Sequence, residues 1–212
     1  MSTENSSQRP SLEQQSHSRN SLRQHYINIR NSVSPKQQKE QALRLLECFQ
    51  RNVMSPKLQK VALYITNKAE LDTAPLISFL WQLNIDVYVP VLHPFCKGHL
   101  LFIRYAQTTP MTHNKYAIAE PILDVRNVIP LAELDTMLVP LVCFDEHGNR
   151  LGMGGGYYDR TLSAINKLSH KNKPQIELIG LAYDIQKALS LPNEKWDVPL
   201  TKVLTPSRLY RF

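Results

Sequence analysis

Beyond residue 58 the chain alternates short apolar runs with helical stretches, and this alternation limits the folds open to it more than any other feature. Residues 61–65, 85–91, 100–105, 137–142 and 176–182 are rich in Val, Leu, Ile and Tyr and have the length of strands. Residues 73–83 and 157–168 carry helical spacing instead. Several of the strands are apolar almost throughout, which suits a sheet covered on both faces, and such sheets are largely parallel. The expectation is an α/β fold, layered α/β/α around a largely parallel central sheet. No internal repeat and no linker divides it.

The N-terminal stretch differs. Residues 1–17 are rich in Ser, Gln and Asn with almost no apolar content, so a disordered lead-in is expected there, with a single domain over 18–212. From Ser18 onward, Leu22, Tyr26, Ile29 and Val33 recur at helical spacing and form one apolar stripe. Ser34-Pro35-Lys36-Gln37 then has the form of a helix start, with a Ser cap, Pro in the first turn and Gln three residues after the cap. This second helix is expected to run to about Phe49, both N-terminal helices packing alongside the sheet.

Composition excludes several classes. No apolar run approaches the ~20 residues of a membrane helix, and the polar N-terminus lacks the apolar segment of a secretory signal. Cys48, Cys96 and Cys143 are odd in number, far apart and without a CxxC pair, which argues against a disulfide framework and a thiolate zinc site. A cytoplasmic protein is expected. The net charge of +7 is uneven: residues 1–60 hold ten Lys/Arg against four Asp/Glu, and the remainder fifteen against fourteen. Glycine is scarce, at seven residues, where average usage near 7% would give roughly fifteen. Yet Gly152, Gly154, Gly155 and Gly156 fall within five positions.

Those glycines follow the strand at 137–142 and precede the helix at 157. Strand, glycine loop, helix is the arrangement that presents backbone N–H groups and a helix N-terminus to an anion. In open α/β sheets it lies at the carboxyl ends of the strands, where ligands bind. Gly156 is followed by Tyr157 and Tyr158, so the loop is not a Walker A; a dinucleotide fingerprint from Gly152 would need glycine at position 157. A flexible hairpin tip is the competing reading. Arg150 and Arg160, which bracket the glycines, and the helix behind them favour a phosphate-binding loop.

A loop without lysine must draw positive charge from elsewhere. Arg19 and Arg23 are four apart on one helical face, with Arg30 close to the same line. Like charges at this spacing oppose each other by only about 0.2–0.5 kcal/mol, so a solvated basic face competes with a phosphate-contacting one. Asp159 stands in the first turn of a helix, where the dipole favours an acid. An acid beside a phosphate loop is also where a Mg²⁺ ligand belongs, since Mg²⁺ takes one or two carboxylates with phosphate and water oxygens. Asp197, in Trp196-Asp197-Val198-Pro199, is a second candidate or a turn residue. Glu70 lies just past a strand, beside Asp72 and Thr73, which can cap the next helix. There is no HExxH, no metal spacing among the histidines and no GxSxG elbow. Cys143, ending an apolar strand, reads as packing. The chain offers phosphate-binding parts and no evident nucleophile.

Arg150-Leu151-Gly152-Met153-Gly154-Gly155-Gly156-Tyr157-Tyr158-Asp159-Arg160, preceded by Val139-Pro140 and Phe144-Asp145, closely resembles the signature of the 5-formyltetrahydrofolate cyclo-ligase family. The likeness covers most of the chain. Arg19-Asn20-Ser21-Leu22-Arg23 is similar to the family's N-terminal basic element, Tyr64-Ile65 with Glu70-Leu71-Asp72-Thr73 to its first strand and acidic turn, and Ile118-Ala119-Glu120-Pro121 to its Ile-x-Glu-Pro. Trp196-Asp197-Val198-Pro199 with Val203-Leu204-Thr205 resembles its C-terminal element. Two positions depart: Tyr116-Ala117 stands where the family often has Phe-Gly, and Thr201 where many members carry an acid.

The resemblance implies ATP-dependent conversion of 5-formyltetrahydrofolate to 5,10-methenyltetrahydrofolate, with release of ADP and phosphate. The formyl oxygen attacks the γ-phosphate of ATP, N10 of the folate closes on the activated carbon, and phosphate leaves. The substrate is thus the nucleophile, and the protein positions it. Carried over residue by residue, Arg19 and Arg23 contact the ATP phosphates, Arg23 near the folate as well. Arg150, Leu151, Gly152, Met153, Gly154, Gly155, Gly156, Tyr157 and Tyr158 cradle ATP, and the stretch Met153 to Tyr157 also faces the folate. Ile65 and Glu70 line the pteridine pocket, with Glu70 as polar anchor. Asp159 and Asp197 hold Mg²⁺, and Arg23, Arg150 and Tyr157 are the catalytic group. The expected partners are ATP and 5-formyltetrahydrofolate, with or without a polyglutamate tail, acting on a monomer.

Two other readings compete. A sugar-phosphate isomerase or CoA-transferase-like enzyme would share the fold and need no ATP. A nucleic-acid-binding module would suit the basic N-terminal third and bind in a steeply salt-dependent way. The chain shows no recognition motif for it and little aromatic interleaving with the basic residues.

Overall fold

In the computed structural model, which describes residues 12–168, 176–194 and 196–212, two helices open the chain. The first, α1 (Leu12–Asn31), starts ahead of the onset expected at Ser18. Its Gln, Glu and Leu residues have adequate helix propensity, and the apolar stripe behind them supplies the nucleus. Of the expected lead-in, residues 12–17 are therefore helical, and residues 1–11 lie outside those described. The second, α2 (Pro35–Asn52), begins on the capping box foreseen from Ser34-Pro35-Lys36-Gln37. Gln37 N donates to Ser34 Oγ at 3.3 Å and Ser34 N donates to Gln37 Oε1 at 2.9 Å.

The remaining elements follow in chain order: β1 (Lys60–Ala62), α3 (Ala74–Gln82), β2 (Asp86–Leu92), β3 (Leu100–Arg104), β4 (Met111–His113), β5 (Ala119–Pro121), β6 (Val128–Ile129), β7 (Thr136–Pro140), β8 (Cys143–Phe144), β9 (Arg150–Leu151), α4 (Tyr157–Leu168), β10 (Glu177–Leu181), β11 (Lys202–Leu204) and β12 (Leu209–Arg211). Eight strands form one sheet in the order β12-β11-β10-β7-β1-β2-β3-β6, while β4-β5 and β8-β9 are separate hairpins. The inner pairings β11·β10, β10·β7, β7·β1 and β1·β2 are parallel. The outer pairings β12·β11, β2·β3 and β3·β6 are antiparallel.

Alternation along the inner strands sorts the core into two layers. Val61, Val87, Val89, Leu138, Ile179 and Leu181 face one way, against Leu45 and Phe49 of α2 and Leu76 and Leu80 of α3. Ala62, Tyr88, Met137, Val139 and Val203 face the other way, with Leu162 of α4. Each fully buried Leu or Phe in these layers contributes roughly 1.5–3 kcal/mol relative to exposure. The layered α/β/α arrangement expected is the one observed.

β1 is shorter than the run at 61–65 that signals it. Leu63 N still donates to Tyr88 O, but Tyr64 then turns away. Tyr64 Oη donates to Leu71 O at 3.0 Å and Tyr64 O accepts from Thr73 Oγ1 at 2.7 Å. Apolar content therefore continues past the strand into a folded turn that carries Glu70.

From β1 the chain first builds outward on one side, through α3 to β2, and then crosses to β7 on the other side of β1. The crevice between the carboxyl ends of β1 and β7 is thus the topological switch point, the place where open α/β sheets bind ligands. The Glu70 turn follows β1 and the glycine loop follows the β8-β9 hairpin beyond β7, so both stand over this crevice. α1 does not lie on a sheet face. Leu22, Tyr26 and Ile27 pack on Val142, Cys143, Leu151, Ala188 and Leu191, which form the carboxyl-end rim.

Candidate active site

The glycine loop is held from two sides by arginines. Arg23 Nε donates to Gly152 O at 2.9 Å, and its guanidinium passes 3.7–4.0 Å from where a Cβ on Gly154 would sit. From the first turn of α4, Arg160 donates through Nη2 to Gly155 O and through Nε to Gly98 O at 2.8 Å. Gly154 (φ +91°) and Gly156 (φ +65°) occupy the left-handed region, which other residues enter at a cost of roughly 1–2 kcal/mol. Among the described residues, no N–H of 152–156 donates a hydrogen bond. Carbonyls are covered by cations while amides stay open, which is the polarity an anion site requires.

α1 supplies the charge the loop lacks. Arg19 grips Asp197 with Nη1 on Oδ2 at 2.6 Å and Nη2 on Oδ1 at 3.1 Å, and also donates from Nη1 to Pro192 O at 3.0 Å. Its side chain is only 12% exposed. Burial pulls the Arg23 guanidinium below the usual arginine range, and the charge of Arg19 adds to this while Asp197 and Asp159 oppose it. A solvated basic face is therefore not what α1 presents.

Arg150, on β9, is buried beneath the loop rather than open to it. Its Nη2 donates to Asp159 Oδ1 and its Nη1 to Val198 O. Burial lowers its pKa, and Asp159 and Asp197 act against that shift. Arg19, Arg23, Arg150, Asp159 and Asp197 thus form one electrostatic cluster. Arg150 ties the start of the loop to the start of α4. Leu151 is fully buried against α1, whereas Gly152, Met153, Gly154 and Gly155 are exposed.

Across the crevice lies the acidic turn. Glu70 Oε2 accepts from Asn67 N at 3.1 Å. Burial pushes its carboxyl above the usual range, and the Asn67 bond and the charges of Arg30 and Lys68 only partly counter this. Tyr183, just past β10, donates from Oη to Glu70 O at 3.4 Å. Ile65 is half-buried against the α2-α3 side of the core. Tyr158 connects the two halves: its hydroxyl is buried without a hydrogen-bond partner among the described residues, and its pKa is raised by burial and by the charge of Glu70.

Tyr157 faces a segment the sequence reading left without a role. The β4-β5 hairpin loop brings Tyr116 Oη to 2.8 Å from Tyr157 Oη, with the rings edge to face at 6.3 Å between centroids. Lys115 Nζ lies 5.0 Å from the centre of the Tyr116 ring. The loop keeps its shape through Asn114, whose Oδ1 accepts from Tyr116 N at 2.9 Å and Ile118 N at 3.2 Å. Ala117 adopts φ +57°, so the departure from Phe-Gly leaves a left-handed backbone carrying a methyl group.

Asp145 also escaped notice as more than a flank of the motif. It is fully buried and accepts from His147 N (2.9 Å), Asn149 N (3.0 Å), Asn149 Nδ2 (2.9 Å) and Leu191 N (2.9 Å). Those bonds pin the β8-β9 hairpin, and hence the loop, to the segment beneath α1. Cys143 is buried and its thiol is pushed up to about 12 by burial, as expected of a packing residue.

Comparison with known proteins decides the family. The model of the 5-formyltetrahydrofolate cyclo-ligase family matches residues 15–206. The chain belongs to that family. It is 45% identical over 186 residues to the 5-formyltetrahydrofolate cyclo-ligase of Escherichia coli K12, covering 86% of this chain and 97% of that one. With the Haemophilus influenzae 5-formyltetrahydrofolate cyclo-ligase it shares 52% identity over 146 residues, 69% of this chain and 75% of the other. Among solved structures, Aquifex aeolicus 5,10-methenyltetrahydrofolate synthetase superposes with a TM-score of 0.75 at 25% identity, covering 91% of this chain and 92% of that one. No helix of the described residues is long and apolar enough to cross a membrane.

The cyclo-ligase expectation for Mg²⁺ can be tested on the donor set. Among the described residues no group of three or more His, Cys, Asp or Glu side chains is poised around one point. Mg²⁺ needs only one or two carboxylates when phosphate and water supply the rest. Asp159 fits, since its Oδ2 makes no hydrogen bond among the described residues while Oδ1 takes Arg150. Asp197 fits less directly, because both of its oxygens are occupied by Arg19 and Oδ2 also accepts from Glu194 N at 2.9 Å.

Proposed function

We propose that this enzyme converts 5-formyltetrahydrofolate to 5,10-methenyltetrahydrofolate, consuming ATP with Mg²⁺ and releasing ADP and phosphate. The observation that carries the reading is the glycine loop with its amides open and its carbonyls held by Arg23 and Arg160, set over the switch point of the sheet. ATP phosphates dock on the amides of the loop, with Arg23 and Arg19 supplying positive charge from α1. Arg150 acts from below, holding Asp159 and the loop in register. The pteridine ring lies toward Ile65 and Glu70, its amino and ring N–H groups directed at the Glu70 carboxylate. Met153 and Tyr157 separate the two substrates.

The formyl oxygen then attacks the γ-phosphate, and N10 closes on the activated carbon as phosphate departs. No protein nucleophile is needed, in keeping with the buried, poorly ionisable Cys143. The chain's contribution is alignment and a fixed positive environment for charge moving across the phosphoryl group. Asp159, with Asp197 nearby, would hold Mg²⁺, which would supply further neutralisation of the phosphates. The free thiols of Cys48, Cys96 and Cys143 agree with a reducing, cytoplasmic setting.

The test is incubation with 5-formyltetrahydrofolate, ATP and Mg²⁺, following methenyl absorbance and ADP together. Equal amounts of both products, lost when ATP is omitted, are expected. Methenyl formation without ADP, or a chain that binds no nucleotide, would overturn the reading. Asp159→Asn should raise the Mg²⁺ concentration needed for the half-maximal rate; an unchanged Mg²⁺ dependence would remove Asp159 from the metal site.

A further inference from the structure

We propose that Glu120 and Asn114 are positioning residues for the reaction: they brace the β4-β5 hairpin so that Tyr116 holds Tyr157 over the point where the two substrates meet and keeps water from the phosphorylated formyl group. This rests on the reading that sets Tyr157 between the folate and ATP.

The hairpin forms a small sheet of its own, in the register Thr112↔Glu120 and His113↔Ala119, and β4 is exposed along its length. Its attachment to the rest of the protein comes from side chains. At the base, Glu120 Oε2 accepts from Leu92 N at 3.3 Å and from Asn114 Nδ2 at 2.9 Å. Leu92 is the last residue of β2, so one carboxylate fastens the hairpin to the carboxyl end of that strand. Asn114 passes the constraint on. Its N donates to Ile118 O at 3.0 Å, and its Oδ1 accepts from Tyr116 N at 2.9 Å and Ile118 N at 3.2 Å. At the tip, the Tyr116 and Tyr157 hydroxyls lie 2.8 Å apart. The Tyr157 ring in turn rests on the glycine loop, 2.9–3.0 Å from where a Cβ on Gly155 would sit, with the Arg160 guanidinium 5.7 Å from the ring centre. A series of hydrogen bonds thus links the end of β2, through Glu120, Asn114 and Tyr116, to Tyr157 and the loop.

Base and tip differ in strength. The bonds at the base end on a carboxylate and are charge-assisted. The tip is one neutral bond between hydroxyls with one edge-to-face ring pair, and Tyr116 is 54% exposed. A contact of that kind opens for substrates to enter and recloses over them. What closure protects is chemical. Once the formyl oxygen carries the phosphoryl group, two outcomes compete. Attack of N10 on the formyl carbon closes the ring, the C–O bond breaks and phosphate leaves. Attack of water on the phosphorus breaks the P–O bond instead, giving phosphate, a proton and unchanged 5-formyltetrahydrofolate. That second outcome hydrolyses ATP without product. Shutting water out of the site suppresses such side reactions.

The experiment measures ADP and methenyl product together for wild type, Tyr116→Phe, Glu120→Ala, Glu120→Gln and Asn114→Asp. Wild type should give a ratio of one. Tyr116→Phe removes one oxygen from an exposed ring, and it should raise folate-dependent ADP release without methenyl product about fivefold over the wild-type background. Glu120→Ala should uncouple the products from the base. Glu120→Gln, whose amide oxygen still accepts from Leu92 N and Asn114 Nδ2, should restore the ratio. Asn114→Asp keeps the acceptor for Tyr116 N and Ile118 N but sets a second carboxylate against Glu120, so it too should uncouple. In a Tyr157→Phe background, Tyr116→Phe should add nothing. A merely structural role lowers both products together and leaves their ratio at one. A ratio of one in Tyr116→Phe or in folded Glu120→Ala would overturn the proposal, as would a Tyr116→Phe effect that persists in full without the Tyr157 hydroxyl. Where Glu120→Ala folds poorly, Tyr116→Phe decides alone. Failure of the underlying reading looks different: wild type itself would then show no ADP release that depends on 5-formyltetrahydrofolate.

Discussion

Arg19 and Asp197, 178 positions apart in sequence, meet in a two-pronged ion pair of 2.6 and 3.1 Å whose side chains are 12% and 14% exposed. The pair joins the helix that opens the described chain to the segment that follows β10, and it closes the rim of the site. Losing one partner leaves the other charge largely desolvated. Asp197→Ala and Arg19→Ala should each lower unfolding free energy by about 3 kcal/mol, measured in urea. The double variant should lose clearly less than the sum. Strict additivity would show that the pair contributes nothing.

Arg23 differs from Arg19 because it has no carboxylate partner among the described residues and lies on a glycine carbonyl. Arg23→Ala should fold with little change in melting temperature and lose turnover by about 10²-fold or more, read from methenyl absorbance at saturating substrates. Normal turnover would take Arg23 out of the mechanism.

Glu70 predicts a conflict between stability and binding. Its pKa is raised in the folded chain by burial, so the native state holds its proton more tightly than the unfolded state. Stability therefore falls as pH rises from the ordinary glutamate range through the folded pKa. Glu70→Gln, which keeps an acceptor for Asn67 N, should melt higher than wild type at pH above that window. The gain should vanish in acid, where both side chains are neutral. Folate binding should weaken throughout the neutral range. A melting difference independent of pH would refute the assignment.

Ala117 sits at φ +57°. Ala117→Gly relieves that strain at the expense of a freer unfolded chain, for a net gain of about 0.5–1 kcal/mol. That corresponds to a rise of roughly 1–4 °C in melting temperature. A fall would mean that the methyl group packs usefully in the loop.

How much of this was legible in the sequence depended on the range of the interaction. The long inner strands and α2–α4 carry their signal within a few neighbouring residues, and the Ser34 cap is entirely local. β6, β8 and β9 are two residues each, too short for an alternation to show. The glycine loop announced itself by composition, but what its arginines touch did not. The resemblance makes Arg150 an ATP contact and a catalytic residue, but its burial under the loop on Asp159 and Val198 could not be read from its place between strand and glycines. Arg30 counted only as a neighbour on a stripe, whereas the fold buries it to 4% exposure. Asp145 needed Leu191, 46 positions away, before its purpose could be seen.

The course of α1 across the rim has a consequence for the order in which the protein can become active. The residues it rests on, from Val142 to Leu191, leave the ribosome long after α1 itself. Until they arrive, Arg19 and Arg23 are solvated cations on a helix without a seat. The seat of α1 is therefore complete only once the chain has been made past Leu191, and a nascent chain that lacks it cannot hold Arg23 on the glycine loop.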